Sequence, residues 1–421
     1  MKILQVVESL APRYGGPSVA CPAMCREFVR CGHETAIYST DADGGGRLDV
    51  PVDLPLDRPV MRDGVRLHYF HAWSFPPLYK FSPPLAGALC KTASSIDVAH
   101  IYSLYGFPTA AAAHYCRKFS VPYVIHPHGS LDPFLRKHHP LRKAAYSRCF
   151  LPTIFAGAAA VMFNSAEELK LSRDAPELAH LDDPAGNGPP SVIVDVGVEE
   201  IFFAGASEGV RREFREKYPE WRDRRLVTYF GRLNFKKGLD ILVAAFCAVA
   251  REQSDIHLVL AGPDGDGYAE KIRQWLGDAG MLKRATFTGN VAGAERVALL
   301  QESAVMMLTS YTENFGQAVA EAMAAGVAVI ISDRVNIWPE VERARAGLVV
   351  PCDAAAAAAA LRKILESPES AREMGRRGRE LALARFPWSA VGRQILGVYE
   401  KMIERSSRRR EIATSRIAAS V

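Results

Sequence analysis

Two doubly wound α/β domains, each built on a parallel sheet, are what this chain predicts. Three observations support that class. Short apolar segments alternate with helical stretches through both halves. The length, 421 residues, is two to three times that of a common domain of about 150 residues. Glycine-bearing polar turns stand where apolar strands run into helices, the place at which open α/β sheets bind ligands.

In the first half, strands are expected at 3–7, 35–38, 66–70, 98–101, 123–125, 160–163 and 192–194. Proline- and glycine-rich stretches at 43–59, 75–84 and 184–190 read as loops that interrupt the alternation. The junction is placed just after the third loop, near 195–199, giving a first domain over 1–197. In the second half, strands at 226–230, 257–261, 285–287, 304–308, 328–331 and 347–349 make a complete doubly wound domain over 198–386. The alanine run at 354–360 reads as a helix. A terminal helix carrying Trp388, Ile395 and Tyr399, followed by a basic tail, occupies 387–421.

Composition fits a large globular enzyme, with 48% hydrophobic and 24% charged residues. The net charge, 52 − 47 = +5, is too small to imply a nucleic-acid partner. Cations gather instead at 136–148 and 401–416. Eight cysteines lie scattered without a C-x-x-C pair or a cysteine–histidine spacing, as expected of reduced cytosolic thiols. Met1 and Lys2 lead straight into an apolar strand without the core of a signal peptide, and no segment reaches the roughly 18 apolar residues of a membrane span. The expected location is cytoplasmic, with any membrane contact peripheral at the inner face.

Two turns carry the chemistry. The stretch 312–326, TENFGQAVAEAMAAG, places Glu313 before Phe315 and Gly316, and Glu321 inside the following helix. A glycine turn at a helix N-terminus exposes backbone N–H groups that suit phosphate and sugar oxygens. The two carboxylates are then placed to meet the sugar and the ribose of a nucleotide sugar, although such glutamates are also often merely solvated. Upstream, 226–239, LVTYFGRLNFKKGL, runs a strand into Gly231, Arg232, Lys237 and Gly238. Arg232 offers a planar fork of donors and Lys237 a mobile point charge, so together they can neutralise a diphosphate. The plain alternative is an exposed basic loop.

With those residues the chain resembles the retaining glycosyltransferases of family 4, which have the GT-B fold. The matches are Gly231, Arg232, Leu233, Lys237 and Gly238, then Glu313, Phe315, Gly316, Glu321, Ala322, Met323 and Gly326, in the family's order. Gly15-Gly16 and His128-Gly129 fit its first domain. The resemblance implies two Rossmann-like domains facing a cleft, with the terminal helix crossing back to the first. It implies catalytic roles for Arg232, Lys237, Glu313 and His128. Donor contacts are implied at Gly16, Gly231, Asn290, Val291, Asn314, Phe315, Gly316 and Glu321, with Asn290 and Val291 reading the base through the backbone. Where the family commonly has Asn-Gly at the linker, this chain has Val196-Gly197, and Ala328 stands for the usual proline after Gly326.

The implied reaction moves a hexose from a UDP- or GDP-sugar to a hydroxyl of a glycan or lipid-linked acceptor with retained configuration, without a metal or other cofactor. Cell-surface polysaccharide synthesis in bacteria is the natural setting. Asp41-Ala42-Asp43 spells the D-x-D of a different fold and reads here as turn chemistry. His126, His128, His138 and His139 cluster without a carboxylate set to complete a metal shell, and 262–267 lacks the order of a dinucleotide loop. No first-domain carboxylate is clearly placed to act as a nucleophile either, Asp132 and Glu8 being the nearest candidates. Cations at 136–148 alternate with Phe134, Leu135, Leu141, Tyr146, Phe150 and Leu151, which reads either as a surface for anionic membrane or as a helix with one solvated face. A GT-B epimerase, a phosphorylase and a non-catalytic nucleotide-sugar-binding subunit remain as alternatives.

Overall fold

The computed structural model describes residues 1–419 except 12–14, 44–45, 48–54, 57, 76–77, 138, 184–187 and 265–266. The chain divides into two compact units, Met1–Gly197 with Trp388–Val421, and Val198–Pro387.

In the first unit an eight-stranded sheet runs in the order Ser191–Ile193, Ala160–Phe163, Tyr123–His126, Val98–Tyr102, Lys2–Ser9, Glu34–Thr40, Val65–Phe70 and Val60–Arg62. All pair in parallel except the last, an antiparallel edge strand the sequence reading omitted. Side chains alternate across the sheet, so one face buries Leu4, Val6, Ala99 and Ile101 and the other Ile3, Val7, Val98 and Tyr102. The second face is covered by the helices Gly16–Arg30 and Trp388–Ala419, the latter contributing Val391, Ile395, Leu396, Tyr399 and Met402. Phe28 meets Tyr399 edge-on at 5.7 Å between ring centroids. Where the chain leaves and re-enters this unit, a Cβ on Gly197 would lie 2.1 Å from the Trp388 ring, so the crossing admits no side chain.

The stretch 75–84 is not the plain loop expected. Trp73–Phe75 and Leu78–Phe81 pair as a small antiparallel ribbon, and Pro83 opens the helix Pro83–Thr92, whose first turn has no use for its missing N–H. Most of the expected loop at 43–59, residues 184–187 of the third loop, and His138 lie outside the described residues.

The second unit has six parallel strands in the order Ala285–Gly289, Ile256–Ala261, Arg225–Phe230, Ser303–Leu308, Val329–Ser332 and Gly347–Val350. In chain order these are the third, second, first, fourth, fifth and sixth strands, the doubly wound arrangement. Its strand Ile256–Ala261 and helix Leu239–Ala250 are almost wholly apolar because both faces of the sheet are covered. The alanine run forms the helix Ala354–Glu366, started by Asp353, whose carboxylate accepts from Ala356 N at 2.8 Å.

Candidate active site

The winding of the second unit reverses between Arg225–Phe230 and Ser303–Leu308, so the loops leaving those two strands flank its crevice. They are stitched together through backbone. Tyr311 N donates to Lys236 O at 2.8 Å, and the Thr309 hydroxyl donates to Gly238 O at 2.8 Å. Gly238 cannot be another residue: its φ is +58°, and a Cβ there would lie 2.0 Å from the Thr309 carbonyl oxygen. Lys237 is thereby held at the end of a short turn, Phe235–Lys237, capped by the Asn234 side chain.

Its ammonium donates to the Glu313 carboxylate. Glu313 is fixed in turn by a third loop, its N–H donating to Arg334 O at 2.9 Å and its carbonyl accepting from Asn336 N at 3.0 Å. Both side chains remain partly open to solvent, at 17% and 22% exposure. A fully closed ion pair would be a structural clasp, whereas this one can open toward a ligand. Arg232, half-buried, leaves the same strand end, where Tyr229 donates its hydroxyl to the Arg232 carbonyl at 2.6 Å. Gly231 N donates to Ala261 O at 2.9 Å and sets the direction of that turn.

Gly316, at φ +93°, starts the helix Gln317–Ala324. Asn314 beside it has a buried Oδ1 with no hydrogen-bond partner among the described residues, an acceptor left for a ligand or water. Phe315 is 4% exposed and packs edge-on against Phe386, so only its backbone is available. Val291 is likewise buried, leaving its backbone and the exposed Asn290 after the strand Ala285–Gly289.

Glu321 is 3% exposed and its carboxylate receives the Arg296 guanidinium, which stacks on the Phe230 ring 4.0 Å from its centroid. Burial pushes the carboxyl up to about 7, against the downward pull of Arg296. Arg296, on the helix Gly293–Glu302, was not anticipated. Its only signal in the sequence is an arginine inside an otherwise apolar face, RVALL.

In the first unit the equivalent positions are less complete. Gly15 carries the positive φ (+77°), and Gly16, expected to approach the ligand, is the first residue of its helix, with no atom of the described residues within 4 Å of a Cβ. The glycine requirement therefore falls on Gly15. His128 adopts φ +49°, and its Nδ1 lies 3.1 Å from Asn164 Nδ2. His126 stacks on it with centroids 3.6 Å apart. Asn164, at the carboxyl end of the strand Ala160–Phe163, was also missed.

The two first-domain carboxylates named as nearest candidates for a nucleophile are engaged elsewhere. Asp132 caps the helix Pro133–Arg136, accepting from Phe134 N at 2.7 Å, and Glu8 pairs with the buried Lys80 at 2.9 Å. Asp41 is buried and lies 2.8 Å from both His71 Nδ1 and Ala72 N. The cationic segment 134–151 presents only part of its apolar set at the surface. Tyr146 and Leu151 belong to the core, because their helices pack on the sheet, and of the apolar residues named there only Leu141 is fully exposed, at 87%. Arg136 pairs with Glu177 and Lys143 donates to Leu135 O. Among the described residues no helix is long and apolar enough to cross a membrane.

Two Rossmann-type units, the second gathering cations and carboxylates at its switch point, define a protein of the GT-B class. Residues 210–381 match the family model of glycosyl transferases group 1, and residues 15–176 that of the glycosyl transferase 4-like domain. The chain belongs to the group 1 glycosyltransferases. It is 27% identical over 197 residues to the alpha-D-kanosaminyltransferase of Streptomyces kanamyceticus, a match that spans only 47% of this chain and 50% of that one. Against D-inositol 3-phosphate glycosyltransferase 2 of Catenulispora acidiphila it is 27% identical over 422 positions, covering 94% and 93% of the two chains. The structure superposes on Anabaena HepE, solved in complex with UDP-glucose, with a TM-score of 0.74 at 20% identity over 95% of this chain and all of that one.

Proposed function

We propose that this protein transfers a hexose from a UDP- or GDP-sugar to a hydroxyl of a glycan or lipid-linked acceptor, with retention, in the assembly of a cell-surface polysaccharide. The observation that carries this reading is the Lys237–Glu313 pair, half-open at the doubly wound switch point beside Arg232 and the unpartnered Asn314 Oδ1. Arg232 and Lys237 stabilise the charge that grows on the leaving diphosphate. Glu313, relieved of Lys237 when the diphosphate arrives, accepts from sugar hydroxyls, and Glu321 accepts from the ribose. The bond from the anomeric carbon to the diphosphate breaks and one to the acceptor oxygen forms on the same face. The acceptor proton passes to the departing phosphate oxygen. No step asks for a metal, since the two side chains supply the countercharge. The likeness to HepE, solved with UDP-glucose, favours a nucleotide-sugar donor.

Peripheral contact with anionic lipid on the cytoplasmic side is part of the proposal, through Leu141 with Arg142 and Arg148, which are exposed. Co-sedimentation with anionic vesicles that survives Leu141→Asp unchanged would remove that part. The deciding experiment for the function is a thermal-shift panel of UDP- and GDP-sugars, followed by donor turnover with and without a chelator. Stabilisation by one base series and chelator-insensitive release of its diphosphate are expected. The proposal fails if no nucleotide sugar shifts the melting temperature.

A further inference from the structure

A row of polar side chains crosses the buried face of the first sheet. Gln5, His100, His126 and Asn164 sit on or directly after four adjacent strands and point to the side covered by the terminal helix. All four are buried, as is Tyr399 on that helix. Nothing about an apolar interior asks for them, since a leucine at each place would serve packing alone.

They form one continuous chain of hydrogen bonds. Gln5 Nε2 donates to the Tyr399 hydroxyl at 3.3 Å, and that hydroxyl lies 2.6 Å from His100 Nδ1. His100 Nε2 is 3.0 Å from His126 Nδ1, and His126 Nε2 is 2.9 Å from Asn164 Oδ1. Asn164 Nδ2 donates to His128 Nδ1 at 3.1 Å.

The asparagine sets the sense of the whole row, because its oxygen can only accept and its nitrogen only donate. His126 therefore carries its proton on Nε2 and receives one at Nδ1 from His100, which receives one from Tyr399. At the far end His128 Nδ1 is an acceptor, so its proton sits on Nε2. That nitrogen is buried and has no hydrogen-bond partner among the described residues. Burial lowers the pKa of all three imidazoles, His126 to about 3, which keeps them neutral.

The loop geometry is equally deliberate. Glu168 accepts from Gly129 N and from Asn164 N, each at 2.7 Å, and so locks the two loops that bring Asn164 to His128. The groups facing His128 are His126 and Tyr102, stacked on its ring, with the Glu168 carboxylate behind the loop. His128 itself holds φ +49°, a conformation a side-chain-bearing residue keeps only when its surroundings impose it.

We propose that Tyr399, His100, His126 and Asn164 act as positioning residues that hold His128 as the neutral Nε2–H tautomer, making it a hydrogen-bond donor to an oxygen of the bound sugar. Such a histidine cannot act as a base through Nε2. The identity of the ligand rests on the function proposed above; the tautomer does not.

The test is histidine-labelled protein examined by long-range ¹H–¹⁵N NMR, with the His128 signals assigned through His128→Gln. Nε2–H is expected for His128 in the free protein at pH 6 to 8, and its shift is expected to move on adding the nucleotide sugar. Asn164→Asp presents two acceptor oxygens, so it should convert His128 to the Nδ1–H form and lower kcat/KM about 30-fold. Tyr399→Phe, remote from the site, should lower kcat by about 3-fold with the donor KM nearly unchanged and His100 altered in the spectrum. A free protein with His128 protonated or in the Nδ1–H form overturns the relay. An Asn164→Asp enzyme with the switched tautomer and unchanged kinetics overturns the role in the reaction. If no nucleotide sugar binds at all, the functional reading falls, and the free-protein spectrum alone judges the relay.

Discussion

Glu321→Gln separates burial from ion pairing at the second-unit site. The carboxyl keeps its proton up to a pH of about 7 in the folded chain, against an ordinary 4.5. Between those values the folded protein binds more protons than the unfolded one, so stability falls as pH rises through that window. Above pH 7 the cost is complete. At about 1.4 kcal/mol per pH unit, the interval amounts to on the order of 3 kcal/mol. Glutamine imitates the protonated form at every pH. The variant should therefore match the parent near pH 5 and exceed it near pH 8, with a flat profile between. Urea unfolding of the two proteins at pH 5 and 8 measures this, followed by tryptophan fluorescence, since Trp221, Trp275 and Trp338 report on this unit. A variant less stable than the parent at pH 8 would refute the reasoning. It would mean that the Arg296 contact outweighs the desolvation of the carboxylate.

Lys237→Ala should reduce turnover by about 100-fold, while the partly exposed pair with Glu313 contributes little to stability; steady-state kinetics beside a melting curve tests both, and normal turnover would defeat the leaving-group role. Gly238→Ala should destabilise by at least about 2 kcal/mol. Gly267→Ala, at a similar φ of +67° with no atom of the described residues within 4 Å, should cost only about 1 kcal/mol. Equal losses for the two glycine variants in denaturant titrations would show that the Thr309 carbonyl is not the obstacle.

The sheets were legible because a parallel strand covered on both faces is a run of apolar residues, and each run expected as a strand is one in the structure. The edge pieces were not, since Val60–Arg62 and Trp73–Phe75 are too short for an alternation to show. At the site, Arg232, Lys237, Glu313 and Glu321 could be named from glycine turns at strand ends, which are local in sequence. Arg296 and Asn164 could not, because each acts on a residue 25 or 36 positions away and their own surroundings look ordinary. The relay shows what signal was available. Gln5 within KILQVVES and His100 within VAHIY are lone polar residues in strands where every neighbour on the same face is apolar. A buried polar group needs a partner, so two such residues on strands that pair in register ask for each other. Gln5 and His100 are cross-strand partners, and the hydroxyl that joins them, Tyr399, comes from the far end of the chain. The terminal helix is therefore more than a cover for the sheet, since its Tyr399 hydroxyl carries the row from Gln5 to His100 and so on to His128.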